Sequence, residues 1–298
     1  MDSISNGFAP VVATTFMILL FTVMIGFIDK ALRHEALDTY KESLRNFRIV
    51  RTFKISFLNT SIFSLTLSLI RFNILFYLSI KTIGNMLYGS DIFLFDLTYI
   101  ITFVIVCEFL FFLKTKKKNE INEVSTLPLV IVITLSLIGA LKLSSNLILE
   151  KNIFWLPSGL YLSNWTILEF PLILIPMFYI LIALYTRIIK SSVALRYNTL
   201  DRLFDFLSNN LLYIYMACFF LRSVMGGVID INLIGFKELA FLNSFLSFLI
   251  KFGVITVGTR LLIRFLPSIV DVRKKNLLPL AVLILFNILL VHFAKGSL

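Results

Sequence analysis

Long apolar runs separated by short polar loops make up most of this chain. A transmembrane helix needs about 20 predominantly apolar residues. Runs of that kind cover 8–28, 55–80, 92–113, 127–149, 166–186, 206–229, 239–263 and 277–294. The pattern predicts an all-α integral membrane protein, in which residues 1–298 form one polytopic domain of eight transmembrane helices.

The charge of the loops alternates along the chain and predicts an orientation. The loops that follow odd-numbered helices hold most of the lysines and arginines: 29–54, 114–126, 187–210 and 264–276. The even-numbered loops are almost free of them: 81–91, 150–165 and 230–238. Because basic loops stay on the cytoplasmic or matrix side of a membrane, we predict that the odd loops face that side and that both termini face the other.

Composition narrows the class of protein further. Hydrophobic residues make up 58% of the 298 residues and charged ones 15%, which excludes a soluble domain. The net charge of +11 is explained by the basic loops, so it does not indicate nucleic-acid binding. Abundant Phe, Ile, Leu, Asn and Lys indicate an AT-rich gene, as in an organellar genome.

Metal and redox chemistry within the chain find no support in the sequence. Cys107 and Cys218 lie in apolar runs, so they indicate neither a disulfide framework nor a cysteine metal site. His34 and His292 lie near opposite ends and do not form the paired axial ligands of a membrane haem. We therefore predict no metal site and no catalytic cofactor bound by this chain.

Ionisable residues inside the predicted spans are the first functional candidates, since each costs roughly 2.5–3.5 kcal/mol near the bilayer centre. They are Arg71, Glu108, Lys142, Glu169, Arg222, Lys251 and Arg260. Arg71 and Arg260 are close enough to predicted boundaries for their side chains to reach the interface, and Glu108 is near a basic loop.

Three of these residues lie several turns inside their predicted helices: Lys142, Arg222 and Lys251. Each must pair with an opposite charge or face a polar cavity. A structural ion pair, a proton or substrate path, and a misplaced helix boundary all remain open for each of them.

A polar stretch, 187–210, lies between two long apolar runs. It holds four basic and two acidic residues: Arg187, Lys190, Arg196, Arg202, Asp201 and Asp205. Such a loop, held in the membrane at both ends, is a candidate for chemistry or for a docking partner. The alternative is a solvated loop that follows the charge rule alone.

Several short motifs occur in the order found in one family. Asn122-Glu123-Val124-Ser125, the apolar run after it and Trp155 resemble subunit 1 of respiratory NADH:ubiquinone oxidoreductase (complex I), whose fourth helix opens on Tyr-Glu-Val-Ser. The stretch 199–206, TLDRLFDF, is similar to the family's Glu-Thr-Asn-Arg-Ala-Pro-Phe-Asp-Leu. Near the C-terminus an Arg, a Pro, an Asp and Leu-Pro-Leu follow in the family's order, at Arg264, Pro267, Asp271 and 278–280.

The chain also departs from that family. Stretch 31–53 has neither Gly nor Pro, so the family's Arg-x-Gly-Pro-Asn loop is missing. The acidic run that follows Phe-Asp-Leu in the family is replaced by 207–210, LSNN. Both segments help to line the family's quinone chamber.

The resemblance implies a core membrane-arm subunit that lines the quinone chamber and the start of the proton-coupling path, with ubiquinone as the substrate of the whole complex. It places Arg202, Asp205 and Asp201 at the quinone cavity, and Glu108 and Lys142 on the proton path. Partners would be other membrane-arm subunits, the hydrophilic arm, quinone and lipid. The chain would be an organelle-encoded protein of the mitochondrial inner membrane, with its termini in the intermembrane space.

Two alternatives from other classes stay open. The first is a small-solute or ion transporter, with Lys142, Arg222 and Lys251 lining a pore and a discontinuous helix around Pro171–Pro176. The second is a structural subunit of an organellar membrane complex that has lost the quinone site. The missing Gly-Pro loop favours the second.

Overall fold

The structure, a computed structural model, describes residues 2–32, 61–88, 104–111, 113–114, 174–194, 200–224 and 240–265. Every one of these residues except Ser61 is helical, and this part of the chain contains no strand. The helices are α1 (Asp2–Leu32), α2 (Ile62–Tyr88), α3 (104–114, where 112 is not described), α4 (Leu174–Ala194), α5 (Leu200–Val224) and α6 (Ala240–Phe265). The predicted all-α class is confirmed over these ranges.

Four of the described helices are long and apolar enough to cross a membrane. The candidate spans are Val11–Asp29, Ile62–Gly84, Leu200–Leu221 and Phe245–Phe265, and α4 holds a shorter apolar stretch, Ile180–Ile189. These helices give the chain the character of a membrane protein. The predicted spans 127–149 and 277–294 lie outside the described residues, so the count of eight remains a prediction.

The helices on either side of the charged stretch 187–210 extend into it. We expected loop from residue 187 to a helix start at 206, yet α4 continues to Ala194 and α5 begins at Leu200. The cause is that the polar side chains here pair inside the helix bundle, so helix continues although hydropathy falls. Pro176 lies in the first turn of α4, where its missing N–H has no intrahelical acceptor to lose.

Helix α5 is the centre of the described bundle. It contacts α1, α2, α4 and α6, and every residue from Leu211 to Leu221 is buried. A membrane helix that is apolar and buried on all sides is surrounded by protein instead of lipid. At the polar start of α5, Asp201 and residues 208–210 are buried and residues 202–207 are partly exposed.

Helices α1 and α6 meet along an apolar contact that we call the aromatic seam, formed by Phe21, Met24, Phe248, Phe252 and Gly253. The Phe21 ring stacks on Phe252 at 4.3 Å between centroids and meets Phe248 edge-on at 5.2 Å. A Cβ atom on Gly253 would lie 2.7 Å from the Met24 terminal methyl, so the glycine allows a close approach of the two helices.

An ion pair closes one end of the aromatic seam. The Arg260 Nε lies 2.9 Å from the Asp29 Oδ1, and both side chains are partly exposed. The Arg264 Nη1 also reaches the Leu32 carbonyl oxygen at 3.5 Å. Arg260, which we expected to reach the membrane interface, is partly exposed and has a partner on α1.

Candidate functional site: a buried ion ladder

Helices α2 and α5 are joined by three polar rungs, each with a donor to acceptor distance of 2.9 Å. In the first two rungs a serine hydroxyl donates to a carboxylate, from Ser64 to Asp201 and from Ser68 to Asp205. In the third, the Arg71 guanidinium donates to the side-chain amide oxygen of Asn209. Because the residue numbers of the paired positions increase together along α2 and α5, the two helices run parallel. At 1.5 Å per residue, the third rung lies about 12 Å further along α5 than the first.

Lys114, at the end of the described part of α3, serves both aspartates. Its ammonium contacts the Asp205 carboxylate directly and lies 3.4 Å from the Asp201 Oδ2. It also donates to the Ser68 hydroxyl at 2.6 Å. Two carboxylates one helical turn apart repel each other, and the shared ammonium offsets that repulsion.

The other end of the site is a carboxylate held between two arginines. The Arg187 Nη1 donates to both oxygens of Glu108, at 2.8 and 2.9 Å, and the Arg71 Nη2 lies 3.6 Å from the Glu108 Oε1. The Phe111 ring, one turn beyond Glu108 on α3, lies 4.6 Å from the Arg71 Cζ and 4.7 Å from the Arg187 Cζ. Both guanidinium groups therefore gain a cation–π contact as well as the carboxylate.

We call these residues the ion ladder: Ser64, Ser68, Arg71, Glu108, Lys114, Arg187, Asp201, Asp205 and Asn209. Its cations (Arg71, Lys114 and Arg187) equal its carboxylates in number (Glu108, Asp201 and Asp205), so the site is neutral overall. Most of its side chains are buried, with only Asp205 exposed to 17%. Buried charges are tolerated when they are paired and hydrogen-bonded, and this arrangement meets that condition.

Arg71 of the ion ladder, and two residues of α5 outside it, leave hydrogen-bonding groups unused. Within the described residues, the Arg71 Nε and Nη1 have no acceptor, and the hydroxyls of Ser208 and Tyr215 on α5 have no partner. All three side chains are buried. Buried polar groups without a protein partner are the groups to which water binds in protein interiors.

The structure brings together three of the five residues that the resemblance selected. Glu108, Asp201 and Asp205 belong to the ion ladder, although we had assigned the aspartates and the glutamate to separate sites. Arg202 lies beside Asp201 on α5 and is half-buried. Lys142 lies outside the described residues.

The three cations of the ion ladder lie in other places than we expected from the sequence. We expected Arg71 to reach the interface, but its side chain is 1% exposed. We placed Lys114 in the loop 114–126 and Arg187 in the loop 187–210, but both lie on helices and inside the bundle. The sequence carried one indication of this site. Ser64, Ser68 and Arg71 follow one another at intervals of four and three residues, which places three polar side chains on one face of a helix.

Other candidate residues lie away from the ion ladder or are undescribed. Lys251 is half-buried on α6, and nothing is described of the Arg222 side chain on α5. Among the described residues, no group of three or more His, Cys, Asp or Glu side chains is placed to hold a metal ion. Cys107 and Cys218 are free and buried.

The fold and the site define a helical membrane protein whose bundle encloses a charge-balanced ion network. No protein-family model, curated protein or solved structure matches this chain. The function is therefore proposed from the sequence motifs and from the ion ladder.

Proposed function

We propose that this chain is a core membrane-arm subunit of a proton-pumping NADH:ubiquinone oxidoreductase, similar to subunit 1 of complex I. The observation that supports the proposal is that Asp201 and Asp205, from the stretch similar to the family's Phe-Asp-Leu motif, lie in the same ion ladder as Glu108, with Arg71 and Asn209 between them along α2 and α5. In this proposal the chain lines the quinone chamber, holds no redox group and contacts other membrane-arm subunits and the hydrophilic arm. Its location would be the mitochondrial inner membrane.

The contacts of the ion ladder suggest how it would transmit a change of charge. Lys114 is shared between Asp201 and Asp205, so neutralising either carboxylate would move the ammonium toward the other. The Ser68 hydroxyl touches both Lys114 and Asp205, and would have to change its hydrogen bonds with them. Electrostatic interactions are several-fold stronger inside a bundle than in water, so such a change would alter the interaction energies of neighbouring charges in the ion ladder.

The other end of the ion ladder completes this route. Arg71 contacts Asn209 on α5 and Glu108 on α3, and Glu108 binds Arg187 on α4. Asp205 also interacts electrostatically with Arg71, so a charge change at Asp205 would act through space on the Arg71 pairing with Glu108. This is the expected behaviour of a coupling element between a quinone chamber and a proton path.

The proposal is tested by Asp205→Asn in the assembled complex. Removing this charge should slow quinone-dependent NADH oxidation about tenfold, the effect of raising the barrier by ~1.4 kcal/mol. The in-gel NADH dehydrogenase stain, which reports the assembled complex, should persist. Arg202→Ala should act in the same direction, and Asp29→Asn is the matched control, because Asp29 pairs with Arg260 outside the ion ladder.

Each outcome of that test has a definite meaning. Unchanged quinone kinetics in the assembled Asp205→Asn complex would contradict the site assignment. Loss of the stained complex would show that the charge is required for assembly, the outcome expected for a structural subunit. The transporter alternative predicts solute flux from the isolated chain.

A further inference from the structure

Arg71 carries more hydrogen-bond donors than its described partners accept. Its Nη2 donates to the Asn209 Oδ1 at 2.9 Å and lies 3.6 Å from the Glu108 Oε1. The Nε and Nη1 atoms are buried and find no acceptor among the described residues. A guanidinium is a rigid planar fork, in which the hydrogens of Nε and Nη1 point to different sides of the group. No single acceptor atom can therefore satisfy both nitrogens.

A serine hydroxyl of α5 lies level with Arg71 in the register of the rungs. The first two rungs pair residues that are 137 positions apart, and the third pairs residues that are 138 apart. An offset of 137 places Ser208 level with Arg71, one position before its partner Asn209. The Ser208 side chain is fully buried, and its hydroxyl has no partner within the described part of the chain.

The Tyr215 hydroxyl belongs to the same region of the bundle interior. Side chains on a helix lean towards its N-terminus, so the long side chain of Tyr215 covers the turn before it, in the direction of Ser208. Tyr215 is close enough to Cys107 on α3 to interact with it electrostatically, and Cys107 is that close to Arg71. The Tyr215 hydroxyl is buried and, over the described ranges, makes no hydrogen bond.

The chemistry of these groups favours water over an ion. The ion ladder already has as many carboxylates as cations, so a bound anion would leave a net negative charge in an apolar interior. A cation is disfavoured because the Arg71 guanidinium is positive and offers donors only. A water molecule is neutral, and it can accept from a guanidinium while it donates to a hydroxyl oxygen.

We propose that Arg71, Ser208 and Tyr215 form an internal water-binding site, which continues the ion ladder past its third rung. The site holds more than one water molecule, because the Arg71 Nε and Nη1 need separate acceptors. A buried water makes about three hydrogen bonds, so waters that bridge Arg71 to the two hydroxyls satisfy all of these groups. This inference rests on the contacts of the ion ladder and not on the proposed function.

Radiolytic footprinting of the native detergent-solubilised assembly tests this inference on the full chain. Short X-ray pulses generate hydroxyl radicals from water, including buried water, and the radicals modify the side chains beside it. Mass spectrometry then gives the modification rate of each residue. We expect Tyr215 to be modified at least about tenfold faster than Phe252, a comparably buried ring in the apolar aromatic seam, because apolar surroundings stay dry.

Ser208→Ala provides the variant test, because it removes one hydroxyl of the site and leaves the three rungs in place. It should lower the Tyr215 modification rate about twofold to tenfold, the effect of losing one net hydrogen bond to the water. Thr259→Val is the matched control, since Thr259 is fully buried on α6 and its hydroxyl donates to the Ile255 carbonyl oxygen at 2.8 Å. This control should leave the Tyr215 rate unchanged.

Two results would overturn the inference. A Tyr215 rate as low as that of Phe252 would mean that the region is dry, as it would be if another segment of the chain filled it. A high Tyr215 rate that is the same in the parent chain and in Ser208→Ala would mean that these groups do not hold the water. Neither result would bear on the proposed function, which is tested separately by quinone-dependent NADH oxidation.

Discussion

The ion ladder and the aromatic seam join helices of the same bundle in different ways. The aromatic seam holds α1 to α6 with rings, a methionine and a glycine, and has an ion pair only at its end. The ion ladder joins four helices through charges and directed hydrogen bonds. In a membrane, apolar contacts between helices gain little over contacts with lipid, so a seam of this kind depends on shape alone.

This difference has a consequence for specificity. A ring or a methyl can shift along the aromatic seam at small cost, whereas each rung of the ion ladder has one matching position on the facing helix. Removing one partner of a buried ion pair leaves an uncompensated charge. We therefore expect the ion ladder to fix the register of α2, α3, α4 and α5, and the aromatic seam to tolerate substitution.

The largest predicted effect is that of Glu108→Ala. It leaves Arg71 and Arg187 facing each other without their carboxylate, so the free energy of unfolding should fall by about 3–5 kcal/mol. Denaturant titration of the chain in mixed micelles measures this change. Asp29→Ala is the control, because it removes a partly exposed carboxylate outside the ion ladder. An equal fall in the free energy of unfolding in both variants would contradict the difference proposed between the ion ladder and the aromatic seam.

The sharing of Lys114 between two aspartates predicts energetic coupling. Lys114→Met and Asp205→Asn should each destabilise the chain, and the double variant should lose less than the sum, with a coupling energy of about 1–3 kcal/mol. The same titration, run on the two single variants and the double variant, gives this value. Additive losses would mean that the Lys114 contact with Asp205 contributes no specific energy.

The aromatic seam should respond to volume instead of charge. Gly253→Ala brings a Cβ against the flexible Met24 methyl, which can move away, so the cost should stay below about 1 kcal/mol. Gly253→Val needs more room and should cost about 1–3 kcal/mol. If the alanine variant unfolded as readily as the valine variant, the aromatic seam would be as specific as the ion ladder.

The smallest predicted effect is that of Arg260→Gln. The pair with Asp29 is partly exposed, at 14% and 21% of the two side chains, so its loss should cost only about 0.2–1 kcal/mol. Salt should weaken this pair in the parent chain, since exposed charges are screened. Thermal unfolding at low and high ionic strength checks both points, and a cost near that of Glu108→Ala would be inconsistent with its exposure.

The helical class of the described chain followed from its apolar runs, because membrane helices are specified by length and hydropathy. The residues at which those helices begin and end did not follow from the apolar runs. Hydropathy falls at Arg187 and Asp201, so the pattern indicated a loop there, although both residues lie on helices that continue inside the bundle. Hydropathy measures transfer to lipid and does not register a partner that another helix supplies.

The candidate site was partly predictable for a similar reason. Glu108, Asp201 and Asp205 were selected by resemblance, but their common location depends on how α3 packs beside α2 and α5, which spacing within one helix does not reveal. We expected the Arg71 side chain to reach the interface because the position of Arg71 along its own helix was the only information that the sequence supplied. Its pairing with Asn209 and Glu108 arises from residues distant in sequence.

The central claim, that this chain is a subunit of a proton-pumping NADH:quinone oxidoreductase, is tested most directly on the native assembly. The detergent-solubilised assembly that contains the chain would be identified by mass spectrometry beside an in-gel NADH dehydrogenase assay. Our account predicts that the chain migrates in the stained band with flavin and iron–sulfur subunits. Migration alone, or as a small homo-oligomer without NADH dehydrogenase activity, would contradict it.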